Sequence, residues 1–446
     1  MSRPGRVLVV GLGVAGEAAA RRLAERGWST TVIDDRPTAT TRARAADLGA
    51  RDVTFVAAPS GRELSTLVAD ADLVVPSPGV AIAHPAIATA LASGTPVWSE
   101  LELAARWSDL AMVAVTGTNG KTTVTTLVER MLAASGLRTV AAGNNDLPLV
   151  DAVAGDDELD VVVVEASSFR LAFTSSFRPE VAVWLNLAED HLDWHETMEA
   201  YAAAKDRVWR AQGPDQVAVA NSDDPTVMAW AAGISSRLVT FGADGDWRVV
   251  GGRLTAPDGE VVLGVDELWR GLPHDVANAL AASAAARAAG ASLEAVRSTL
   301  RSFPGLPHRL ALVAEVDGVT YYDDSKATDP HAAAAAVSSF PSVVLIAGGR
   351  NKGLDLSVLT GLAPRLRAVV AIGDAGAEVE QAFAGLVPVA TAGSMDAAVA
   401  AARARARRGD AVLLSPGCAS YDWYSSYAER GDDFARAVHA ASAVPA

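Results

Sequence analysis

Short apolar runs that end on glycine, each followed by apolar residues at helical spacing, recur along the whole chain. The first is "RVLVVGLGVAGEAAARRLAERG". Residues 7–10 read as a buried strand, Gly11, Gly13 and Gly16 as a turn, and residues 17–26 as a helix. A second strand, "STTVIDD", closes on Asp34 and Asp35, and a third, "DLVVPSPGV", runs into a Pro/Gly turn at residues 76–79. This strand-then-helix repetition predicts an α/β architecture with mainly parallel sheets.

A second block opens with "MVAVTG" and continues with strands at "TVAAGN", "DVVVVEASS", "EVAVWLNLAEDH" and "QVAVANSDD". Valines around a "PDG" turn between Arg248 and Leu263 predict a hairpin, and helices are expected over residues 274–289 and 293–302. "FPGLPHR", with Pro304 and Pro307 around Gly305, reads as an interdomain linker. A third block places strands at residues 319–322, 343–347, 368–372, 387–390 and 411–414, separated by helices. The acidic run "GDDELD" at residues 155–160 reads as a solvated loop. The expected domains are residues 1–107, 108–305 and 306–446.

Composition narrows the class of partner. Half of the 446 residues are hydrophobic, as in a globular protein, and the formal net charge of -15 argues against nucleic acid while leaving room for a small anion at a local basic cluster. Cys418 is the sole cysteine, so neither an intrachain disulfide nor a thiolate zinc site is available. No signal-type N-terminus and no run of about 18 apolar residues is present. The expectation is a soluble cytoplasmic protein without membrane insertion, acting on a metabolite.

The strongest chemical signal is "MVAVTGTNGKTTV". A full P-loop would place its first glycine where Val115 stands, yet after a buried strand residues 117–122 can still wrap backbone N–H groups around a polyphosphate. Lys121 would neutralise the β/γ oxygens, and the Thr122 hydroxyl could join a Mg²⁺ shell. The N-terminal G-x-G-x-x-G is weaker, because plain strand–turn–helix packing accounts for it as well as nucleotide binding does. The downstream Asp34 and Asp35 stand where a Rossmann acid meets a ribose. A nicotinamide enzyme is thus the first hypothesis, but two phosphate-type loops in successive domains fit a plain dehydrogenase poorly.

Carboxylates follow at strand ends: Glu165 after "DVVVV", then Glu189 and Asp190 beside His191 after "VAVWLNLA". The carboxyl ends of parallel strands line the ligand crevice, and hard oxygen ligands suit Mg²⁺. Lys205, taken alone, reads as a surface lysine on a helix. In the third block Asp324, Lys326, Thr328, Lys352 and Ser420 stand at strand-to-helix junctions and supply cations and hydroxyls suited to a carboxylate-bearing substrate.

The ordered set "TGTNGKTT", "NLAEDHLDWH", "FPGLPHR", "DDSKATDP" and "SPGCASYD" resembles the Mur ligases, ATP-dependent enzymes that add amino acids to the peptidoglycan precursor. "GLGVAG", "SPGVAIAHP", "GNNDLP" and "ASYDWYSSYAERGDDF" narrow the resemblance to the branch that adds D-glutamate to UDP-N-acetylmuramoyl-L-alanine through an acyl phosphate. It implies three domains: Rossmann-like, central P-loop ATPase-like, and C-terminal Rossmann-like α/β. The first would take the uridine diphosphate end of the substrate, so the dehydrogenase reading loses. By position Val14, Ala15, Asp34, Asp35, Arg36, Ser77 and Gly79 would contact that substrate, joined by Asn144.

ATP is expected to draw on the central domain through Gly117, Thr118, Asn119, Gly120, Lys121, Thr122 and Thr123, with Asn278 near adenine. Arg309, Asp324 and Lys326 of the C-terminal domain would serve its ribose and phosphates. Thr328, Lys352, Ser420 and Tyr427 match positions that hold the incoming glutamate. Lys205 matches a carbamylated lysine that joins Thr122, Glu165 and His191 around two Mg²⁺ ions, and "FPGLPHR" would be a closing hinge of a monomer. Lys121, Glu165, His191 and Lys205 form the implied catalytic set, which argues against an ATP-binding scaffold without turnover. Folylpolyglutamate synthase is disfavoured by the N-terminal glycine turn.

Two departures stand near the expected substrate crevice: Arg170 where the family usually has Gln, and Asn145 and Asp146 where it has Ile-Gly. They leave a related ligase using L-glutamate or another amino acid as the alternative.

Overall fold

The computed structural model describes residues 4–144, 147–155, 158–351 and 353–442. Asn145, Asp146, Asp156, Asp157 and Lys352, all named above, lie outside the described residues. Two compact units are present: residues 1–271 with 275–303, and residues 272–274 with 304–446. The break between Phe303 and Pro304 falls inside "FPGLPHR", where proline and glycine interrupt helix and strand alike.

The first unit holds two parallel sheets. One has the order Thr54–Ala57, Ser29–Asp34, Arg6–Val10, Leu73–Pro76. The strand expected third is therefore fourth, because Thr54–Ala57, a partly exposed edge strand, carries too little apolar signal to stand out. The first helix starts at Val14, three residues before the expected start, and takes Gly16 into its first turn. A methyl on Gly16 would overlap the Gly11 carbonyl oxygen and the Ser77 hydroxyl, so this glycine allows the helix to approach the turn closely.

The larger sheet has the order Arg237–Phe241, Val217–Asn221, Val181–Trp184, Ala111–Thr116, Val161–Glu165, Thr139–Gly143. Val161–Glu165 is buried throughout, as befits a central parallel strand covered on both faces, which is why its valines run without alternation. Arg237–Phe241 was not anticipated; it is an edge strand with its first two residues exposed. One hydrophobic cluster joins the two sheets, from Val9 and Leu23 through Leu101 to Ala114, Val162 and Trp184. The expected hairpin is a three-stranded antiparallel meander, Arg248–Val250, Arg253–Thr255 and Val261–Gly264, because Gly251 and Gly252 supply a second tight turn.

The second unit holds the sheet Ala311–Val316, Val319–Asp323, Ala411–Leu414, Val343–Gly348, Leu366–Ile372, Val389–Ala392. The first pair is antiparallel and the remainder parallel. Five strands lie within two residues of their expected positions; the sixth, Ala311–Val316, is a half-exposed edge. Leu345, Val369 and Leu413 face one core, while their neighbours Val344, Val370 and Val412 face the other. No described helix is long and apolar enough to cross a membrane.

Candidate active site

At the carboxyl ends of the smaller sheet's strands lies a cavity of about 410 Å³, lined by the Gly11–Gly13 turn, Val14, Ala15, Asp34, the stretch from Ser77 to Val80, and Arg170. The helix that follows Gly13 has no side-chain cap, so its first amides remain available to an anion. Asp34 accepts the amides of Leu12 at 3.0 Å and Arg36 at 3.0 Å, which fixes the turn. Ser77 donates to the Gly11 carbonyl at 2.9 Å. Five of the eight residues expected to contact the nucleotide sugar, Val14, Ala15, Asp34, Ser77 and Gly79, thus come together with Arg170, which was expected near the same crevice. Asp35 and Arg36 are exposed outside the lining, and Asp35 meets His84 Nε2 at 3.0 Å.

Asn144 does not line this cavity; its amide donates to Glu165 Oε1 at 3.1 Å. Glu165 ends its strand opposite Val115, two residues before Gly117 opens the glycine loop. Sheet register therefore places a carboxylate beside the loop.

The loop is bonded on its other side to the segment after Val181–Trp184. Thr118 N–H donates to the Asn186 carbonyl at 3.1 Å, Asn119 N–H to Asn186 Oδ1 at 2.9 Å, and Ala188 N–H to Thr118 Oγ1 at 3.0 Å. The helix Lys121–Ala134 begins at Gly120, again without a side-chain cap. Gly120 has φ +87°, and a methyl there would come within 2.5 Å of Asn278 Oδ1, so Asn278 lies against the loop. Thr122 and Thr123 occupy the first turn of this helix.

Two lysines converge on one carbonyl. Lys121 Nζ donates to Gly117 O at 2.8 Å and Thr118 O at 2.7 Å, and Lys205 Nζ donates to Gly117 O at 2.8 Å. Lys205 is 1% exposed, contrary to its reading as a surface lysine, because the helix Met198–Arg210 turns that face into the core. Burial, reinforced by the Lys121 charge, drives its pKa well below the ordinary lysine value, while Asp190 acts in the opposite sense. Its Nζ also lies 4.4 Å from the centre of the Tyr201 ring.

His191 has φ +55°, a left-handed conformation that is uncommon for a side chain of its kind and directs the chain into a short helix. Its ring is 4.7 Å from Phe169, and Nε2 is 3.2 Å from Asp190 Oδ2. His195, one turn on, meets Ser168 Oγ at 2.9 Å; burial, then the charges of Lys205 and His191, lower its pKa to about 4.

In the second unit the Asp323–Asp324 pair braces a strained segment. His308 and Leu310 both have positive φ, at +57° and +48°; His308 Nδ1 meets Asp323 at 2.6 Å, and Leu310 N–H donates to Asp324 at 3.1 Å. Arg309 lies between them, close enough to act electrostatically on Asp324. Burial raises the Asp324 pKa to about 7, against the Ser415 hydroxyl donating at 2.7 Å. Lys326 Nζ sits 3.9 Å from the centre of the Tyr427 ring, Ser420 is buried, and Thr328 is exposed just before the helix Pro330–Ser338.

Sequence reasoning missed Arg430, which is 1% exposed and ties this loop to its neighbour by donating to Ser325 O at 2.8 Å and Cys418 O at 3.1 Å. It also missed Asn186 and Tyr201. Asn186 follows an apolar strand directly, a signal that could have found it; Tyr201 carries none.

Comparison with known proteins follows the same layout. The Mur ligase MurD-like N-terminal domain matches residues 5–99, the Mur ligase middle domain residues 115–286, and the Mur ligase glutamate ligase domain residues 308–418. A UDP-N-acetylmuramoylalanine--D-glutamate ligase of Frankia casuarinae is 46% identical over 97% of this chain and 94% of its own length. Proteins of the same name are 44% identical in Desulfosudis oleivorans (97% and 96% covered) and 40% identical in Geobacillus kaustophilus (97% of each). Among solved structures, MurF ligase from Thermotoga maritima in complex with ADP superposes with TM-score 0.61 at 19% identity, covering 98% of this chain and 96% of that one. UDP-N-acetylmuramate-alanine ligase MurC of the same organism gives 0.56 at 18%, covering 98% and 99%. These two likenesses concern the fold.

Proposed function

The chain belongs to the Mur ligase family, and from that premise we propose that it is the ATP-dependent amide ligase that joins D-glutamate to UDP-N-acetylmuramoyl-L-alanine in peptidoglycan synthesis. The observation that carries this reading is the convergence of Lys121 and Lys205 on the Gly117 carbonyl, at a glycine loop flanked by Glu165.

Repulsion between two anions is the barrier to be lowered. The alanine carboxylate attacks the γ-phosphorus of ATP, a new P–O bond forms, and the bond to ADP breaks. Lys121 and the amides from Gly120 to Thr123, at the start of the helix, stabilise charge developing on the equatorial oxygens, while the Thr118 and Asn119 amides hold the loop to Asn186. The glutamate amine then attacks the acyl carbonyl, a C–N bond forms, phosphate leaves with the C–O electron pair, and the amine proton passes to solvent.

Val14, Ala15, Asp34, Asp35, Arg36, Ser77, Gly79, Asn144 and Arg170 are assigned to the nucleotide sugar, and Asn278, Arg309, Asp324 and Lys326 to ATP. Thr328, Lys352, Ser420 and Tyr427 are assigned to glutamate, with domain limits at residues 107 and 305 and a monomeric, cytoplasmic enzyme.

The residues present suit Mg²⁺. Glu165 is buried, Asn144 donates to one of its oxygens, and the other has no partner among the described residues. Thr122, Glu165, His191 and a carbamate on Lys205 would hold the ions, which supply positive charge to the phosphate oxygens. No three described His, Cys, Asp or Glu side chains form a cage, so such a site draws on hydroxyl, carbamate and phosphate oxygens too. Carbamate formation needs a neutral amine, and the burial that lowers the Lys205 pKa supports it.

Phosphate release with ATP, the nucleotide sugar and a panel of amino acids tests the reading. Release should require both UDP-N-acetylmuramoyl-L-alanine and D-glutamate. Release in the absence of both sinks it, and preference for L-glutamate selects the related-ligase alternative.

A further inference from the structure

Arg170 belongs to the four-residue helix Ser168–Leu171, and Glu100 opens the helix Glu100–Trp107. The two form a buried ion pair, Nη1 donating to Oε2, with Arg170 6% and Glu100 2% exposed. Glu100 Oε1 accepts the Val150 amide at 2.9 Å, so both carboxylate oxygens have partners. The guanidinium does not share that saturation. Its Nε is buried without a protein partner, and Nη2 makes no hydrogen bond among the described residues.

A buried pair of this kind gives little net stability, since a well-packed apolar pair often does as well. Unused donors on a fixed guanidinium instead suit a ligand. Arg170 lines the 410 Å³ cavity and is the only cation among the described residues that do so. Asp34, the one acid in that lining, has its oxygens occupied by the amides of Leu12 and Arg36. The same lining includes Val14 and Ala15 at the start of the helix Val14–Glu25, which has no side-chain cap and favours phosphate. A planar guanidinium with its Nε/Nη2 edge free matches phosphate oxygens better than a lysine does.

We propose that Glu100 is a positioning residue that holds Arg170 so that its free donors meet the diphosphate of the nucleotide-sugar substrate. The proposal rests on the ligase reading for the identity of the substrate, but the diphosphate contact can be measured without turnover. Glu100 acts only through Arg170, and its loss should affect diphosphate ligands and no others.

The test is calorimetric binding of UDP and of uridine to the full chain, together with KM and kcat for each substrate. Glu100→Gln should weaken UDP about tenfold, leave uridine within twofold, and raise KM for the nucleotide sugar far more than KM for ATP. Arg170→Lys, which keeps the charge but removes the forked donors, should weaken UDP similarly and keeps the test open if the first variant does not fold. In an Arg170→Gln background, adding Glu100→Gln should change UDP affinity no further. Equal losses for UDP and uridine, equal KM effects for ATP and the nucleotide sugar, or an additive double variant would each overturn the proposal. Absence of turnover in the wild-type protein, with UDP binding still dependent on Glu100, would sink the ligase reading alone.

Discussion

The glycine turn at Gly11–Gly16 and the loop at Gly117–Lys121 share one plan, a buried parallel strand, a glycine turn, and a helix that begins without a side-chain cap. They differ in where the positive charge comes from. The second loop carries its cation, Lys121, within itself and gathers the buried amine of Lys205 from a helix more than eighty residues on, the hydrogen bond to Gly117 spanning 88 positions. The first carries no cation, and Arg170 reaches its cavity from another sheet's following helix. A helix start offers about 0.3–1 kcal/mol to an anion. That assists binding of a stable diphosphate, to which Arg170 adds its charge, whereas moving a γ-phosphoryl group onto a carboxylate needs charge concentrated at one point.

Breaking the second region should have the largest effect. Lys205→Ala is expected to lower kcat for phosphate release roughly 100-fold or more and to regain part of it when short-chain carboxylates are added, because these can replace the carbamate oxygens. A variant with full activity would remove the carbamate assignment.

Two glycine substitutions sharpen the contrast at intermediate size. Gly120→Ala places a methyl at φ +87° against Asn278, at a cost of about 1–3 kcal/mol, and should raise KM for ATP while leaving the nucleotide sugar nearly unaffected. Gly16→Ala drives its methyl into the Gly11 carbonyl and should do the reverse. Steady-state kinetics with each substrate varied in turn would show the crossover; identical profiles would mean that the two turns do not serve separate ligands.

The smallest effect concerns acid stability beneath the second loop. His195 titrates at about 4 in the fold and near 6.5 when unfolded, so its contribution to stability is present above about 6.5 and is lost as pH falls toward 4. Allowing for solvent screening, this is about 1 kcal/mol between pH 7 and pH 5. His195→Gln should therefore lose less Tm than the wild-type chain over that interval in thermal melts.

Much of this was legible in the sequence because parallel strands buried on both faces appear as unbroken valine runs, and glycine turns mark their ends. The Val161–Glu165 strand, the loop at Lys121 and the N-terminal turn needed nothing more. Edge strands were lost for the converse reason. Thr54–Ala57, Arg237–Phe241 and Ala311–Val316 are half exposed, so their apolar signal is diluted. Among the site residues, those on short loops were visible as motifs, whereas Asn186, Tyr201, Arg430 and Glu100 act across long sequence separations.

By itself, then, the sequence determined the order of the buried strands and the glycine turns that end them, since these depend on local periodicity and backbone freedom. It also placed Lys121 within reach of phosphate, three to four residues from the carbonyls it contacts. Tertiary structure alone decided that Lys205 is a buried, easily deprotonated amine rather than a surface cation, and that Arg170 is fixed by Glu100. Desolvation and ion pairing depend on which groups the fold brings together, and for these two residues the partners stand 88 and 70 positions away.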